Sequence, residues 1–381
     1  MNAPSYKICI WMNIPSHHQS GFFRSLEEHD NISIEVRYFQ ERSKNRTAEG
    51  WNSEYIYKNY EKCVNKQITP EQMLATVPDA RERIHIISSS FSPELVRYFC
   101  NNSIQWIHWS EMPGIRLAEL LNFRMPVFRF LYPLMLLMKR KEGSRISRHA
   151  IGAFSQGKLA RFAFTLMGVK HKKIFDLYYV PEPLPNLTPA LSIKEFAQGR
   201  RVLLCVSALC RRKGIDILLK SFTNVANRDW CLVLCGLDKA NGQYQRLANS
   251  LGIGDKVLFT GAYPIDSIAE VYKASDVFVL PSRFDGWGAV LNEAASIGLP
   301  IIGTDLSGAA LHIIKNDFNG YCVKAGSVRS LSKALLNYVE HPKLIEVHGN
   351  NSKLHFSKEF TPKENVQRLI IGIDNMKGVK N

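Results

Sequence analysis

From Arg201 onward the chain alternates short apolar runs with longer segments of helical periodicity, and this alternation restricts the fold more than any other feature. RVLLCVSAL, WCLVLCG, KVLFTG, DVFVLPS, PIIGTD and GYCVK read as strands, and GIDILLKSFTNVA, YQRLANSLG, DSIAEVYKA, AVLNEAASIG and SVRSLSKALLNYVE as the helices between them. Strand–helix repeats of this kind imply right-handed βαβ units around a parallel sheet. The first half repeats the pattern more loosely, with KICIWMNI, ISIEVRYFQ, RIHIIS, IQWIHWS, AIGAFS and IFDLYYV as strands. Between Gln40 and Arg83 the chain is polar and irregular, and no element is assigned there.

A chain of 381 residues exceeds the size at which a single hydrophobic core stops growing. The boundary is expected at PEPLPNLTPALS, Pro181 to Ser192, where four prolines in twelve residues exclude both helix and central strand. The expected fold class is therefore α/β, with two Rossmann-like domains facing a central cleft. The domains are expected over 1–190 and 191–360, and a C-terminal helix within 361–381, TPKENVQRLIIGIDNM, is expected to pack back on the first domain.

Composition excludes several classes. With 45% apolar and 22% charged residues the chain is globular rather than disordered. The start lacks the pattern of a secretory signal, and the longest apolar run, LYPLMLLM, is far below the roughly 20 residues that span a bilayer. Eight cysteines show no CxxC pair and no zinc-site spacing, and they fall in strand patterns where thiols act as small buried hydrophobes. A reduced, cytoplasmic setting is expected. The net charge of +15 calls for something anionic.

Position narrows that requirement. Open parallel sheets bind ligands at the carboxyl ends of their strands, so the loop after DVFVLPS is the expected site. In PSRFDGWGAVLNEAASIGLPIIGTD, residues 281 to 305, Gly286 and Gly288 let backbone approach a ligand, and the helix start that follows suits a phosphate. Asp285 lies in this loop, and Glu293, one turn into the helix, can accept hydrogen bonds from vicinal hydroxyls.

The same stretch resembles the signature of retaining glycosyltransferases of family 4, which have the GT-B fold. The resemblance rests on Pro281, Ser282, Asp285, Gly286, Trp287, Gly288, Glu293, Ala294, Gly298, Pro300 and Asp305. It continues in VSALCRRKGIDILLKSF, which places Lys213 and Gly214 at the family's phosphate-binding position, and it is clear from about residue 200 to 340. It implies that Lys213, with Arg211 or Arg212, neutralises a departing diphosphate, and that Glu293 holds a ribose. Asp285 and the amides of Gly286, Trp287 and Gly288 would hold the donor sugar. The chain departs from the pattern at Asp285, where Glu is usual, at Ala208, where an arginine often stands, and at Leu311, near a usual glutamate.

In the first half, Gly21 follows the first strand as an expected anion-facing turn of the donor site, and His17 and His18 in the same loop could face the cleft, His18 toward an acceptor. His108 resembles a family histidine that lines the sugar cleft, and Glu111, three residues on, could bind acceptor hydroxyls. The resemblance implies a catalytic set of Asp285, Lys213 and His108, and a donor phosphate that itself takes the acceptor proton, so no nucleophilic carboxylate is required. No Asp-x-Asp occurs, and neither metal nor other cofactor is expected.

Asn122 to His149 combines aromatics and Leu/Met with six Arg or Lys between Arg129 and Arg148, as in a basic amphipathic helix on an anionic bilayer. No nucleic-acid module is recognisable. The expected function is transfer of a sugar, with retention, from a UDP- or GDP-sugar to a saccharide or lipid-linked saccharide in surface polysaccharide assembly, peripherally on the inner face of the cell membrane. The alternative is a catalytically degenerate nucleotide-sugar-binding or scaffold protein of the same fold.

Overall fold

The computed structural model describes residues 5–42, 50, 55–64 and 67–378. In the first domain β1 (Tyr6–Met12), β2 (Ile32–Tyr38), β3 (Glu61–Cys63), β4 (Ile84–Ile87), β5 (Trp106–Ser110), β6 (Gly152–Ser155) and β7 (Ile174–Asp176) form one sheet, in the order β3-β2-β1-β4-β5-β6-β7. In the second, β8 (Arg201–Val206), β9 (Trp230–Cys235), β10 (Val257–Gly261), β11 (Val277–Leu280), β12 (Ile301–Thr304) and β13 (Gly320–Val323) take the order β10-β9-β8-β11-β12-β13. Every pairing between these strands is parallel. The strand order reverses beside β1 in the first sheet and beside β8 in the second, which puts a ligand crevice at the carboxyl ends of both.

The helices that position the site are α1 (His17–Glu27), α2 (Met125–Met138), α3 (Arg140–His149), α4 (Lys158–Leu166), α5 (Ile215–Phe222), α6 (Val290–Ile297), α7 (Lys343–Glu359) and α8 (Pro362–Lys377). Because both faces of each sheet are covered, alternate residues of one strand enter different cores. In β1, Ile8 and Ile10 cluster with Val366, Leu369 and Ile373 of α8, while Cys9 and Trp11 cluster with Phe99 and Phe128. In β8, Val202 and Leu204 join Trp287 and Phe356, while Leu203 and Cys205 join Phe222 and Leu335. All eight cysteines are unpaired thiols, and Cys9, Cys205, Cys231 and Cys235 are buried.

Residues 181–190 carry no helix or strand, as their prolines require. The chain crosses back after α7, which packs on α6 in the second domain. α8 packs on α1 in the first. There Tyr6 Oη donates to Asp374 Oδ1 at 2.8 Å, and the Asn365 amide clips the Tyr178 backbone at 3.1 and 2.9 Å.

Three elements differ from the sequence reading. The irregular Gln40–Arg83 segment, part of which lies outside the described residues, holds β3 and a short helix, Pro70–Ala75, started by a Thr69/Gln72 capping box. The basic stretch Asn122–His149 is two helices, α2 and α3, joined at Lys139. The loop holding His17, His18 and Gly21 is the beginning of α1.

Candidate active site

The second-domain wall is built by the loops after β8 and β11. Lys213 closes a single 3-10 turn, Arg211–Lys213, and Gly214 follows at φ +70° with its α-carbon against the Pro281 carbonyl. A side chain there would meet that carbonyl, so only glycine lets the two loops touch. The contact delivers Lys213 Nζ to Asp285 Oδ2 at 2.5 Å, with Arg212 at 3.7 Å from Oδ1 and Ser282 Oγ donating at 3.4 Å. Burial works to raise the Asp285 carboxyl, but Lys213 and Arg212 outweigh it and hold the group below the usual carboxylate range. Arg283, buried, makes a fork to Asp216 with both bonds at 2.6 Å, which locks the β11 loop to the first turn of α5.

Glu293 is buried on α6. Tyr272 Oη donates to its Oε2 at 2.7 Å, and His18 Nε2, from the other domain, lies 3.0 Å from Oε1. His17 lies beside His18, with ring centroids 3.8 Å apart and the planes tilted by 50°. Ligand atoms of His17, His18 and Glu293 lie within 4.8 Å of one another, the one grouping among the described residues able to hold a metal ion.

From the first domain Glu111, just past β5, brings its carboxylate against the backbone of Gly286. The residue is exposed, yet its carboxylate lies between the domains, near Asp285, Arg212 and Lys213. Desolvation, reinforced by the Asp285 charge and opposed by Arg212 and Lys213, pushes its carboxyl up to about 7.

Several expected site residues are placed differently. His108 is buried within β5, where Nδ1 accepts from the Ser89 amide at 3.3 Å and Nε2 lies 2.9 Å from Ser110 Oγ. Burial pushes it down to about 4, and a neutral ring with both nitrogens engaged is not offered to the cleft. Gly21 lies inside α1 rather than in a phosphate-facing turn, and its bare α-carbon makes room for the side chain of Glu182. His18 meets Glu293 on the donor side rather than an acceptor surface. Arg211 points away, its Nε donating to the Asn122 carbonyl at 3.0 Å, so Arg212 alone accompanies Lys213.

The Trp287 indole is packed inward on Tyr178 at 5.3 Å and donates to Asn292 Oδ1 at 3.1 Å, leaving its backbone as the part that faces the cleft. Gly288 adopts φ +91°, which the turn into α6 requires. Ala208 and Leu311 supply no charge, and Leu311 serves through its carbonyl, which accepts from Lys158 Nζ at 3.2 Å. The sequence reading did not single out Tyr272 or the Arg283–Asp216 fork. The available signal was an arginine in the cleft loop beside Phe284.

Residues 190–355 match the family model described as glycosyl transferases group 1. Similar curated proteins include the lipopolysaccharide core biosynthesis mannosyltransferase LpcC of Rhizobium leguminosarum bv. viciae, 24% identical over 50% of this chain and 54% of that protein. The GDP-mannose-dependent alpha-(1-6)-phosphatidylinositol monomannoside mannosyltransferase of Mycolicibacterium smegmatis is 28% identical over 38% of this chain and 40% of its own length. The chain thus spans about half or less of the curated relatives it matches. Among solved structures, Anabaena HepE in complex with UDP superposes with a TM-score of 0.70 at 15% identity, covering 96% of this chain and 99% of that one. The lipopolysaccharide outer core galactosyltransferase WaaB gives 0.69 at 15% identity, over 96% and 99%. Residues 190–355 are thus similar to the glycosyl transferases group 1 family, and the two facing sheets have the GT-B architecture of the solved neighbours.

Proposed function

We propose that the protein is a retaining glycosyltransferase that moves a sugar from a nucleotide-diphosphate donor to a saccharide or lipid-linked saccharide. The observation that carries this reading is the single cleft in which Lys213 and Arg212, after β8, meet Asp285, after β11, and Glu293 faces His18 across the domains. Lys213 and Arg212 exchange Asp285 for the diphosphate and stabilise its charge as the glycosidic bond breaks. Asp285, released from Lys213, and the backbone of Gly286 to Gly288 orient the sugar. Glu293, already an acceptor of two hydrogen bonds, takes ribose hydroxyls in their place. Glu111 is the first-domain group nearest the sugar loop and positions the acceptor. No metal or other cofactor enters this scheme.

Relatives named for GDP-mannose and a neighbour bound to UDP support a nucleotide-diphosphate donor without choosing the base. The relatives named for lipopolysaccharide support a role in surface polysaccharide assembly. We further place the protein on the cytoplasmic face of a membrane. Supporting this are the +15 charge and the apolar outer face of α2, in a chain in which no described helix is long and apolar enough to cross a bilayer.

A second reading, a nucleotide-sugar-binding or scaffold protein without turnover, is favoured by one observation: the 2.5 Å pair with Asp285 already neutralises Lys213. A panel of UDP- and GDP-sugars tests both, with thermal stabilisation and slow donor hydrolysis measured for wild type, Glu293→Ala and Lys213→Ala. One donor stabilising and hydrolysed by wild type alone supports the transferase. Stabilisation without hydrolysis or transfer to any acceptor supports the binding protein, and the absence of any binding defeats both.

A further inference from the structure

α2 has two unlike sides. Phe128, Tyr132 and Leu136 are buried, whereas Val127, Phe130, Leu134, Leu137 and Met138 recur at helical spacing on the outside, with Phe130 74% and Met138 85% exposed. α4, which packs on α2, adds exposed Phe162 beside this stripe. A continuous apolar stripe of this kind marks a surface meant to be covered.

Directly after it, α3 lines a cavity of about 720 Å³ with Arg140, Lys141, Arg145 and Arg148, closed by Met167 and Gly168 at the end of α4. No carboxylate lines this cavity, and none of its four cations forms an ion pair among the described residues. The acidic residue of α3, Glu142, is turned away, accepting from Ser89 Oγ at 2.7 Å and Lys139 Nζ at 3.1 Å. Four uncompensated cations in one concave wall repel one another until an anion joins them, and guanidinium forks suit phosphate oxygens.

A free anion would need the cavity alone. The apolar stripe abutting it requires a ligand whose phosphate is joined to hydrocarbon. We propose that the α3 cavity binds the phosphate of an anionic lipid headgroup while the outer stripe of α2, with Phe162, seats in the bilayer beside it. This rests on the reading of the protein as a membrane-surface transferase. It also sets the geometry of delivery. Phe128 on the buried side of α2 packs on Phe284 of the donor loop, with centroids 5.6 Å apart, so the bilayer face lies roughly one helix diameter, about 10 Å, from that loop.

The test is co-sedimentation of the full-length protein with phosphatidylcholine vesicles, with and without phosphatidylglycerol, at low and high salt. Wild type is compared with Arg140→Ala/Lys141→Ala/Arg145→Ala/Arg148→Ala and with Phe130→Ser/Met138→Ser. Melting curves establish that the variants fold, and hydrolysis of a soluble nucleotide-sugar reports the cleft separately. The expected result is binding to anionic vesicles only, weakened by salt, falling roughly a hundredfold in the four-site variant and clearly in the apolar one, with hydrolysis unchanged in both. If the four-site variant binds anionic vesicles like wild type, the cavity assignment is wrong although another face docks the membrane. If no vesicle binds and free glycerol phosphate does not stabilise wild type, the membrane reading and the site fall together. If free glycerol phosphate stabilises wild type but not the four-site variant and vesicles are ignored, the cavity serves a soluble phosphate and the lipid assignment is overturned. Absence of donor hydrolysis by wild type would count against the transferase reading, not against the cavity.

Discussion

Lys213 and Asp285 form a contact that must open before a diphosphate can use the ammonium, and the two residues therefore make separable contributions. Lys213→Ala removes the main counter-charge to the leaving group and should lower kcat/KM by about 10²- to 10³-fold, read from steady-state transfer or donor hydrolysis, and should also cost stability, since buried Asp285 keeps only Arg212 as a counter-charge. Asp285→Asn keeps the shape but frees Lys213, so donor binding should tighten while kcat falls. A matching loss in both variants would show that the pair acts only as a unit.

Glu111 carries the clearest pH signature. Its carboxyl moves from an ordinary 4.5 up to about 7, so between those values the folded chain keeps a proton that the unfolded chain has released. The contribution of this residue to stability is complete below about 4.5 and is lost as pH rises through 7. Glu111→Gln should abolish that fall and be the more stable form at pH 8, by on the order of 1 kcal/mol. Full enclosure would imply more, but the side chain keeps contact with solvent. Urea unfolding of both proteins across pH 5 to 8 measures it, and parallel curves would remove the assignment.

At the scale of elements, the parallel strands were legible because a sheet covered on both faces demands nearly continuous apolar runs, as in RVLLCV and WCLVLC. α7 was not legible. KLIEVHGNNSKLHFSKE places polar residues and a glycine mid-helix, and its helicity depends on tertiary contact, with Gly349 set against the Gly298 carbonyl at the end of α6. The second-domain half of the site could be read from sequence because Lys213 and Asp285 sit in turns and loops, and Glu293 in the first turn of the helix that follows, where geometry is local. The meeting of His18 with Glu293, 275 residues apart, and of Glu111 with Gly286, depends on how two domains face each other, which no short motif encodes.

The Arg283–Asp216 fork joins two of those local elements. Arg283→Ala leaves Asp216 without its partner in a mostly enclosed position and should cost about 3 kcal/mol in chemical denaturation. Donor affinity should fall with it, since the loop carrying Asp285 loses its tie to α5. Gly214→Ala should do similar harm by another route, because φ +70° and the nearby Pro281 carbonyl both resist a side chain.

For the whole molecule, α8 belongs to the second half of the sequence but supplies Val366, Leu369 and Ile373 to a core of the first sheet. Removing the chain from Thr361 onward should therefore unfold the first domain while leaving nucleotide binding in the second. Limited proteolysis with a nucleotide thermal-shift assay would reveal this as a surviving fragment that begins near the linker.

That return of α8 also means that two segments, residues 181–190 and the turn after α7, tie the domains together. A body joined at one point can swivel in any direction, whereas one joined at two turns about the line between them, like a door on a pair of pins. Opening the cleft thus has essentially one degree of freedom. Rotation about that line would carry the Glu111 carboxylate and the His18 ring away from the opposite wall together, so distance labels at the two contacts should lengthen and shorten in step.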